Sequence, residues 1–169
     1  WAPWRMDYLR RETDSVTGCL FCINIEKDPS EANLIIYKGE HTVVMLNKYP
    51  YSNGHLLLAP IMHVSSIDEL PETAVIELAV LSQVSVKTLR RAYYPEGFNI
   101  GLNIGAAAGA GIADHVHMHV LPRWSGDTNF MTSIAETRVL PEEILVTYRR
   151  LQKIIGQIID KKRTGPKET

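Results

Sequence analysis

Three histidines occupy every second position in the stretch HVHMHVLPRW, residues 115–124. Because successive side chains on a β-strand point to opposite faces, this spacing predicts that His115, His117 and His119 share one face. The valines and the methionine between them would then pack into a core. Two chemistries could use such a row of imidazoles: metal ligation, and nucleophilic or acid–base catalysis near neutral pH. The less specific interpretation is a row of hydrogen-bonded surface histidines.

A second set of candidate ligands lies in the segment Cys19-Leu-Phe-Cys22. A single CxxC is compatible with zinc binding, with redox chemistry or with two buried thiols. A thioredoxin-like site needs a strand-to-helix context that the sequence does not offer here. A zinc site would need two further ligands, normally histidines. The chain has two cysteines in all, too few for the framework of a disulfide-rich secreted fold.

Short apolar runs bounded by turn residues predict the strands that carry these motifs. The segment NLIIYKGEHTVVMLN, residues 33–47, predicts a hairpin around Lys38-Gly39-Glu40, and HLLLAP, residues 55–60, predicts a buried strand. GFNIGLNIG and HVHMHVLPR predict two more strands, separated by the small-residue loop AAAGAGIAD.

Two helices complete the prediction. The first runs from Pro71 to Tyr94, with an apolar face of Val75, Leu78, Leu81, Ser82, Val86 and Leu89. The second spans 141–162, with Ile144, Tyr148, Leu151, Ile155 and Ile158 on one side. We expect a single α+β domain over residues 1–162, with a mainly antiparallel sheet of about five strands. Residues 1–18 would form an N-terminal arm and residues 163–169 a polar tail.

Composition limits the classes of partner. The chain has 169 residues, 45% of them hydrophobic, and a formal net charge of -1. We therefore expect a substantial core and neither a nucleic-acid nor a membrane partner. The apolar runs are shorter than the roughly 18 to 20 residues of a spanning helix. The segment WAPWRMDYLRRE lacks the apolar core of a signal peptide, so we expect a cytoplasmic protein.

Several of these motifs together resemble the histidine triad (HIT) family of nucleotide hydrolases and transferases. The resemblance rests on HVHMHV followed by LPRW, on NGHLLLAP, on VVMLNKYPYSNGH and on CLFC followed by HTVVMLN. It covers about residues 17 to 130 and is strongest with the bacterial branch that includes diadenosine tetraphosphate phosphorylase-like and hydrolase-like proteins. It implies a HIT-like fold, often assembled as a homodimer.

The resemblance also implies a reaction and its catalytic residues. The reaction is cleavage of the α-phosphoanhydride of a nucleotide or dinucleoside polyphosphate through a nucleotidyl-histidine intermediate. His117 would attack phosphorus, and His119 would donate to the phosphoryl or bridging oxygen. His55 would support them through hydrogen bonds, although an ordinary core histidine fits that position equally well.

The substrate contacts implied by the resemblance lie in three segments. Asn47 corresponds to a ribose-contacting position and Asn103 to a phosphate-contacting one. Gly109 and Gly111 lie in the small-residue loop, where backbone N–H groups can approach phosphate oxygens. Trp124 corresponds to a position near the polyphosphate exit. Asn103 could instead close a turn, and Trp124 could be an ordinary packing residue.

A structural zinc site is the metal centre implied by the resemblance. His63, just after the HLLLAP strand, and His115 would join Cys19 and Cys22 in a Cys2His2 site. No organic cofactor is expected. His117 and His119 are thereby left for chemistry.

One departure from the family concerns the leaving group. Many members carry a glutamine with serine or threonine just before the triad, whereas this chain has Gly111-Ile112. This disfavours phosphoramidase activity, in which a leaving amine must be protonated, and favours anhydride substrates. A phosphoramidase-type hydrolase, a catalytic-metal hydrolase and a nucleotide-binding regulator with little turnover remain as alternatives. Against the catalytic metal, Asp114 is the sole acidic residue at the cluster, and alternation places it on the opposite face.

Overall fold

An antiparallel β-sheet forms the centre of the molecule. The computed structural model describes residues 18–127 and 142–164. Residues 1–17 of the predicted arm, Pro141 and residues 165–169 of the predicted tail lie outside the described residues. The strands are β1 (Ile35–Lys38), β2 (Thr42–Leu46), β3 (Leu56–Pro60), β4 (Gly97–Leu102) and β5 (Met118–Arg123), in the spatial order β1-β2-β3-β5-β4. The predicted α+β fold is therefore confirmed.

In the part of the chain that the structure describes, three α-helices cover the sheet: α1 (Leu20–Ile25), α2 (Glu72–Tyr93) and α3 (Ile144–Thr164). Helices α2 and α3 contact each other, and each also packs on strands of the sheet. The main core lies between them and the sheet. Its fully buried members include Leu56, Leu58 and Val120 of the strands with Leu78, Leu89, Leu151 and Ile155 of the helices. Among the described residues, no helix is long and apolar enough to cross a membrane.

The buried face of α2 differs from the predicted one. Val75, Ser82 and Val86 are only partly buried, whereas Leu78, Leu81 and Leu89 are buried as expected. The other buried positions are Ala74, Val84, Ser85 and Thr88. Helix α2 contacts α3 as well as β2, β3 and β5, and its buried positions include the small or polar residues Ala74, Ser85 and Thr88. The apolar periodicity of α2 does not show which other elements pack against it, so the contact with α3 could not be predicted from this pattern.

Both predicted helices have slightly different ends. Pro71 is the N-cap of α2 rather than its first residue, and Tyr94 closes the helix in the left-handed conformation with a φ of 50°. Helix α3 continues to Thr164, two residues beyond the predicted end at 162. Ile159 of α3 is buried, while the predicted Ile158 is half-buried.

The opposite face of the sheet is covered in part by α1 and bears the site. Phe21 and Ile25 of α1 pack there against Ile35, Val43, Met45, Leu57 and Ala59. His55 immediately precedes β3, so alternation puts its ring on the same face as Leu57 and Ala59. Strand β5 pairs with β3, and Leu57 lies opposite His119. Two strands distant in sequence thus bring His55 and His119 together.

Candidate active site and metal cluster

The three alternating histidines do not all lie on a regular strand. We predicted a strand from His115, but β5 begins at Met118. The ladder with β3 ends at the pair Leu58 and Met118, and the backbone N–H of Val116 donates instead to the Val64 carbonyl at 2.8 Å. Because the segment before Met118 leaves the ladder, His115 moves away from His117 and His119 toward residues 60–64.

Around His115, four side chains of the kinds that bind metal ions lie close together. The donor atoms of Cys19, Cys22, His63 and His115 all lie within 4.8 Å of one another. Nδ1 of His115 lies 3.4 Å from Sγ of Cys19 and 3.6 Å from Sγ of Cys22. Nδ1 of His63 lies 3.3 Å from both Sγ of Cys22 and Nδ1 of His115. We call these four residues the metal cluster.

The distances in the metal cluster fit a tetrahedral ion. Bonds of about 2.3 Å to sulfur and about 2.0 to 2.1 Å to nitrogen imply S···N edges of about 3.6 Å and N···N edges of about 3.3 Å. Nε2–H of His115 donates to the Pro60 carbonyl at 2.9 Å, which leaves the lone pair on Nδ1. Burial lowers the pKa of His115, and this too favours the neutral ring that a metal requires. The residues present therefore suit a zinc ion.

His117 is held in one tautomer by the backbone. Its Nδ1–H donates to the His115 carbonyl at 2.8 Å, so the lone pair resides on Nε2. The residue is 6% exposed, and the Phe21 ring packs 4.8 Å from the imidazole centroid. Burial lowers the pKa of His117, partly offset by that hydrogen bond. The ring is therefore neutral and nucleophilic near pH 7.

His55 and His119 form an ordered hydrogen-bond chain. The backbone N–H of Tyr51 donates to Nδ1 of His55 at 3.2 Å, and an amide nitrogen can only donate. The proton of His55 must then reside on Nε2, which lies 2.9 Å from Nδ1 of His119. His119 therefore accepts at Nδ1 and carries its own proton on Nε2. Its ring centroid lies 5.0 Å from that of His117.

Asn47 extends this chain by one residue. The backbone N–H of Tyr49 donates to its Oδ1 at 2.9 Å, which fixes the orientation of the amide. Its Nδ2 then lies 3.2 Å from Nδ1 of His55 and donates to it. The side chain that the resemblance assigned to ribose thus also contacts the supporting histidine.

A cavity of about 320 Å³ opens beside the two reactive rings. The predicted residues on its wall are Asn47, Asn103, Gly109, Gly111, His117 and His119. Apolar side chains of Leu20, Phe21, Leu34 and Met45 line another part of the wall. Asp114, which we expected on the face opposite the histidines, is exposed to solvent. An imidazole with a lone pair on Nε2, an imidazole N–H and an apolar wall therefore border one cavity.

Trp124 does not line this cavity in the single chain. It follows β5, and its backbone N–H donates to Asp127 at 3.2 Å. Arg123 pairs with Asp127 through both Nε and Nη2, at 2.5 and 2.7 Å. Phe21 and Asn24 are among the cavity residues that the sequence did not single out. Phe21 lies between Cys19 and Cys22, and this position between two candidate ligands could have marked it as a residue near the site.

A family model for the HIT domain matches residues 29–126. The chain belongs to the HIT family. The HIT match ends short of α3 and begins after the two cysteines of the metal cluster. His55, His117 and His119 lie within the matched segment, whereas α1 precedes it.

Similar HIT proteins include a curated relative and two solved structures. A protein named AP-4-A phosphorylase from Mycobacterium tuberculosis is 36% identical over 157 residues, which is 89% of this chain and 80% of that protein. A Zn-bound histidine triad family protein from Mycobacterium smegmatis is 28% identical with a TM-score of 0.69, covering 85% of this chain and 96% of that one. A hypothetical histidine triad nucleotide-binding protein from Sulfolobus tokodaii is 33% identical with a TM-score of 0.63, covering 84% and 92%.

Proposed function

We propose that this HIT protein is a nucleotidyl hydrolase or transferase that cleaves the α-phosphoanhydride of a dinucleoside polyphosphate. The observation that carries the proposal is the tautomer of His117. A buried, neutral imidazole has its Nδ1 proton bound by a backbone carbonyl and its Nε2 lone pair available beside a cavity. A neutral nucleophile approaches an anionic phosphorus without charge repulsion.

The reaction would proceed in two displacements at one phosphorus atom. Nε2 of His117 forms a bond to the α-phosphorus, while the bond from that phosphorus to the bridging oxygen breaks. Nε2–H of His119 donates to the phosphoryl or bridging oxygen as negative charge develops there. Water or inorganic phosphate then attacks the nucleotidyl-histidine, and His117 leaves as a neutral imidazole. The similarity to a protein named AP-4-A phosphorylase favours phosphate as the acceptor.

The loop after β4 supplies the proposed phosphate contacts. Asn103, Gly109 and Gly111 all line the cavity. Gly109 has a φ of 86°, a left-handed conformation that a side chain would strain, and a Cβ there would meet nothing within 4 Å. Backbone conformation rather than lack of space therefore explains this glycine. The role of Trp124 near a polyphosphate exit stays a prediction.

We also propose that the metal cluster binds a structural zinc ion. Cys19, Cys22, His63 and His115 would occupy all four positions of a tetrahedral ion, and no position would remain for substrate. Among the described residues, His117 and His119 belong to no group of side chains close enough to hold a metal. This separates the metal from the chemistry and disfavours the catalytic-metal alternative. The zinc-bound relative supports this choice of ion.

A homodimer is proposed through the outer edge of β4. This strand pairs with β5 on one side and lies at the edge of the sheet, where Ile100 is 48% exposed. An exposed edge with an apolar side chain suits pairing with a second copy of the strand. Light scattering of wild type and Ile100→Lys would test this, with a shift toward monomer expected for the variant. A cytoplasmic location stays a prediction.

Product analysis tests the proposed reaction. Diadenosine tetraphosphate is mixed with the protein with and without inorganic phosphate, and the nucleotides are separated after quenching. Attack at the α-phosphorus releases ATP in both cases, with ADP formed when phosphate accepts and AMP when water accepts. Appearance of two ADP molecules without added phosphate would place the cleavage elsewhere. Absence of any product would contradict the proposal.

A further inference from the structure

The cavity wall contributed by α1 carries a polar group with no role in the proposed reaction. Four side-chain amides line the cavity: Asn24, Asn33, Asn47 and Asn103. Asn103 lies with the small-residue loop at the phosphate side. The other three lie outside that loop, Asn24 on α1, Asn33 just before β1 and Asn47 just after β2.

Two of these amides are already engaged within the fold. Oδ1 of Asn33 accepts from the N–H groups of Ser30 and Ile35 at 3.0 and 3.2 Å. Its Nδ2 donates to the Asp28 carbonyl at 2.8 Å, so this side chain ties down the loop before β1. Asn47 is bound to Tyr49 and His55 in the manner described above.

Asn24 differs because only the Nδ2 of its amide makes a hydrogen bond within the described part of the fold. Its Nδ2 donates to the Leu20 carbonyl at 2.9 Å. A carbonyl oxygen only accepts, so the amide orientation is fixed and the remaining group is the acceptor Oδ1. Within residues 18–127 and 142–164, Oδ1 of Asn24 has no hydrogen-bond partner. Asn24, a residue that lines the cavity, therefore has an oriented acceptor available.

The position of Asn24 suits the far edge of a nucleobase. Phe21 packs against His117, and Asn24 follows it by three residues, or about 4.5 Å along the helix axis. Leu20, Leu34 and Met45 line the same cavity and offer apolar contacts to the faces of a planar ring. With the α-phosphate at His117, the sugar and then the base would lie along this wall.

We infer that Asn24 is a specificity-determining residue that reads a 6-aminopurine through its Oδ1. This rests on the proposed function and names the base that the same site prefers. The 6-position of a purine lies at the edge remote from the sugar. An amino group there donates to Oδ1, whereas the oxygen of hypoxanthine or guanine would face another acceptor. Adenine is therefore favoured over the 6-oxopurines.

Binding of AMP and IMP tests this inference, because the two nucleotides differ at the 6-position and binding needs no turnover. Calorimetry on the full chain should give wild type a preference for AMP of about tenfold. Asn24→Leu, which keeps the volume and removes the acceptor, should reduce the preference to about twofold. Asn24→Ala serves as a second variant if leucine disturbs α1. Gln83→Leu, an amide-to-leucine change on the exposed face of α2, is the matched control and should retain the wild-type ratio.

Each result has a distinct meaning. Equal binding of AMP and IMP by wild type, or an unchanged tenfold preference in both Asn24 variants, would overturn the inference and leave the proposed reaction intact. Binding of neither nucleotide by wild type would overturn the proposed function and this inference with it.

Discussion

The metal cluster and the reactive histidines use the same side chain in opposite ways. In His115, Nε2–H is bound to the Pro60 carbonyl, and Nδ1 turns to the two cysteines. In His117, Nδ1–H is bound to the His115 carbonyl, and Nε2 is left with the lone pair. The ring nitrogen that meets a backbone carbonyl thus decides which nitrogen is left for a metal or for phosphorus.

The His115 backbone and the Phe21 ring join the metal cluster to His117. The His115 side chain belongs to the metal cluster, whereas its backbone carbonyl orients His117. Phe21 packs against both rings, at 5.0 Å from His115 and 4.8 Å from His117. The metal cluster and the histidines beside the cavity nevertheless consist of different side chains. We therefore expect changes in the metal cluster to lower mainly the free energy of unfolding, and changes at His117 to lower mainly turnover.

Replacing the nucleophile should give the largest effect. His117→Ala removes the attacking nitrogen, so we expect turnover of diadenosine tetraphosphate to fall by about 10³-fold or more. The melting temperature should change little, because the loss creates space beside an open cavity. Steady-state assays and thermal melts provide the measurement. His41→Ala, at a histidine outside both regions, is the control and should retain wild-type turnover.

Removing a ligand of the metal cluster should have the opposite effect, a large loss of stability with a small loss of turnover. Cys22→Ala removes one ligand, and we expect a loss of unfolding free energy on the order of 3 kcal/mol together with loss of bound zinc. Turnover per folded molecule should fall less than tenfold, since His117 and His119 remain. Metal analysis, chemical denaturation and turnover are measured on one preparation. A chelator should destabilise wild type and leave Cys22→Ala unchanged; equal sensitivity of both would show that the chelator acts elsewhere.

Removing the donor to His119 should have an intermediate effect on chemistry. His55→Ala leaves Nδ1 of His119 without the Nε2–H donor at 2.9 Å, so the proton of His119 is no longer confined to Nε2. We expect kcat to fall on the order of 10²-fold, with a much smaller change in KM. A substrate with a better leaving group should recover part of the loss. An equal loss for both substrates would argue against His119 as the proton donor.

The smallest effect concerns Asn47. Asn47→Leu removes one of two donors to Nδ1 of His55, and the Tyr51 backbone N–H still holds the tautomer. We therefore expect kcat to fall about fivefold. If Asn47 acts mainly on ribose, KM for the nucleotide will rise while kcat stays unchanged. The split between the two constants distinguishes a positioning role from a substrate contact.

The sequence was informative where spacing and residue type were sufficient. Alternation separated the histidines from Val116, Met118 and Val120, and the CxxC spacing kept two sulfurs close together, although the sequence did not predict the helix Leu20–Ile25. The antiparallel sheet followed from turn residues between apolar runs. These features depend on neighbours that are close in the chain, so local pattern could reveal them.

Features that depend on tertiary contacts were not accessible from the sequence. His115 and His117 lie outside β5, and the Val116 N–H between them donates to the Val64 carbonyl, a contact across 52 positions of the chain. The hydrogen bond from Asn47 to His55 requires a chain reversal whose geometry residue identity does not specify. Helix α2 contacts α3, which lies more than 50 residues later in the chain, and the pattern within α2 does not indicate that neighbour. Each of these is set by a partner that no local pattern indicates.

Intact-protein mass spectrometry of the quenched reaction would detect a nucleotide bound covalently to His117. Wild type and His117→Ala are mixed with diadenosine tetraphosphate and stopped within the first turnovers. We expect one acid-labile adenylyl group on wild type, localised to residue 117, and none on the variant. An adduct that persists in His117→Ala, or turnover by wild type with no covalent species at any time, would contradict the division of roles between His115 and His117.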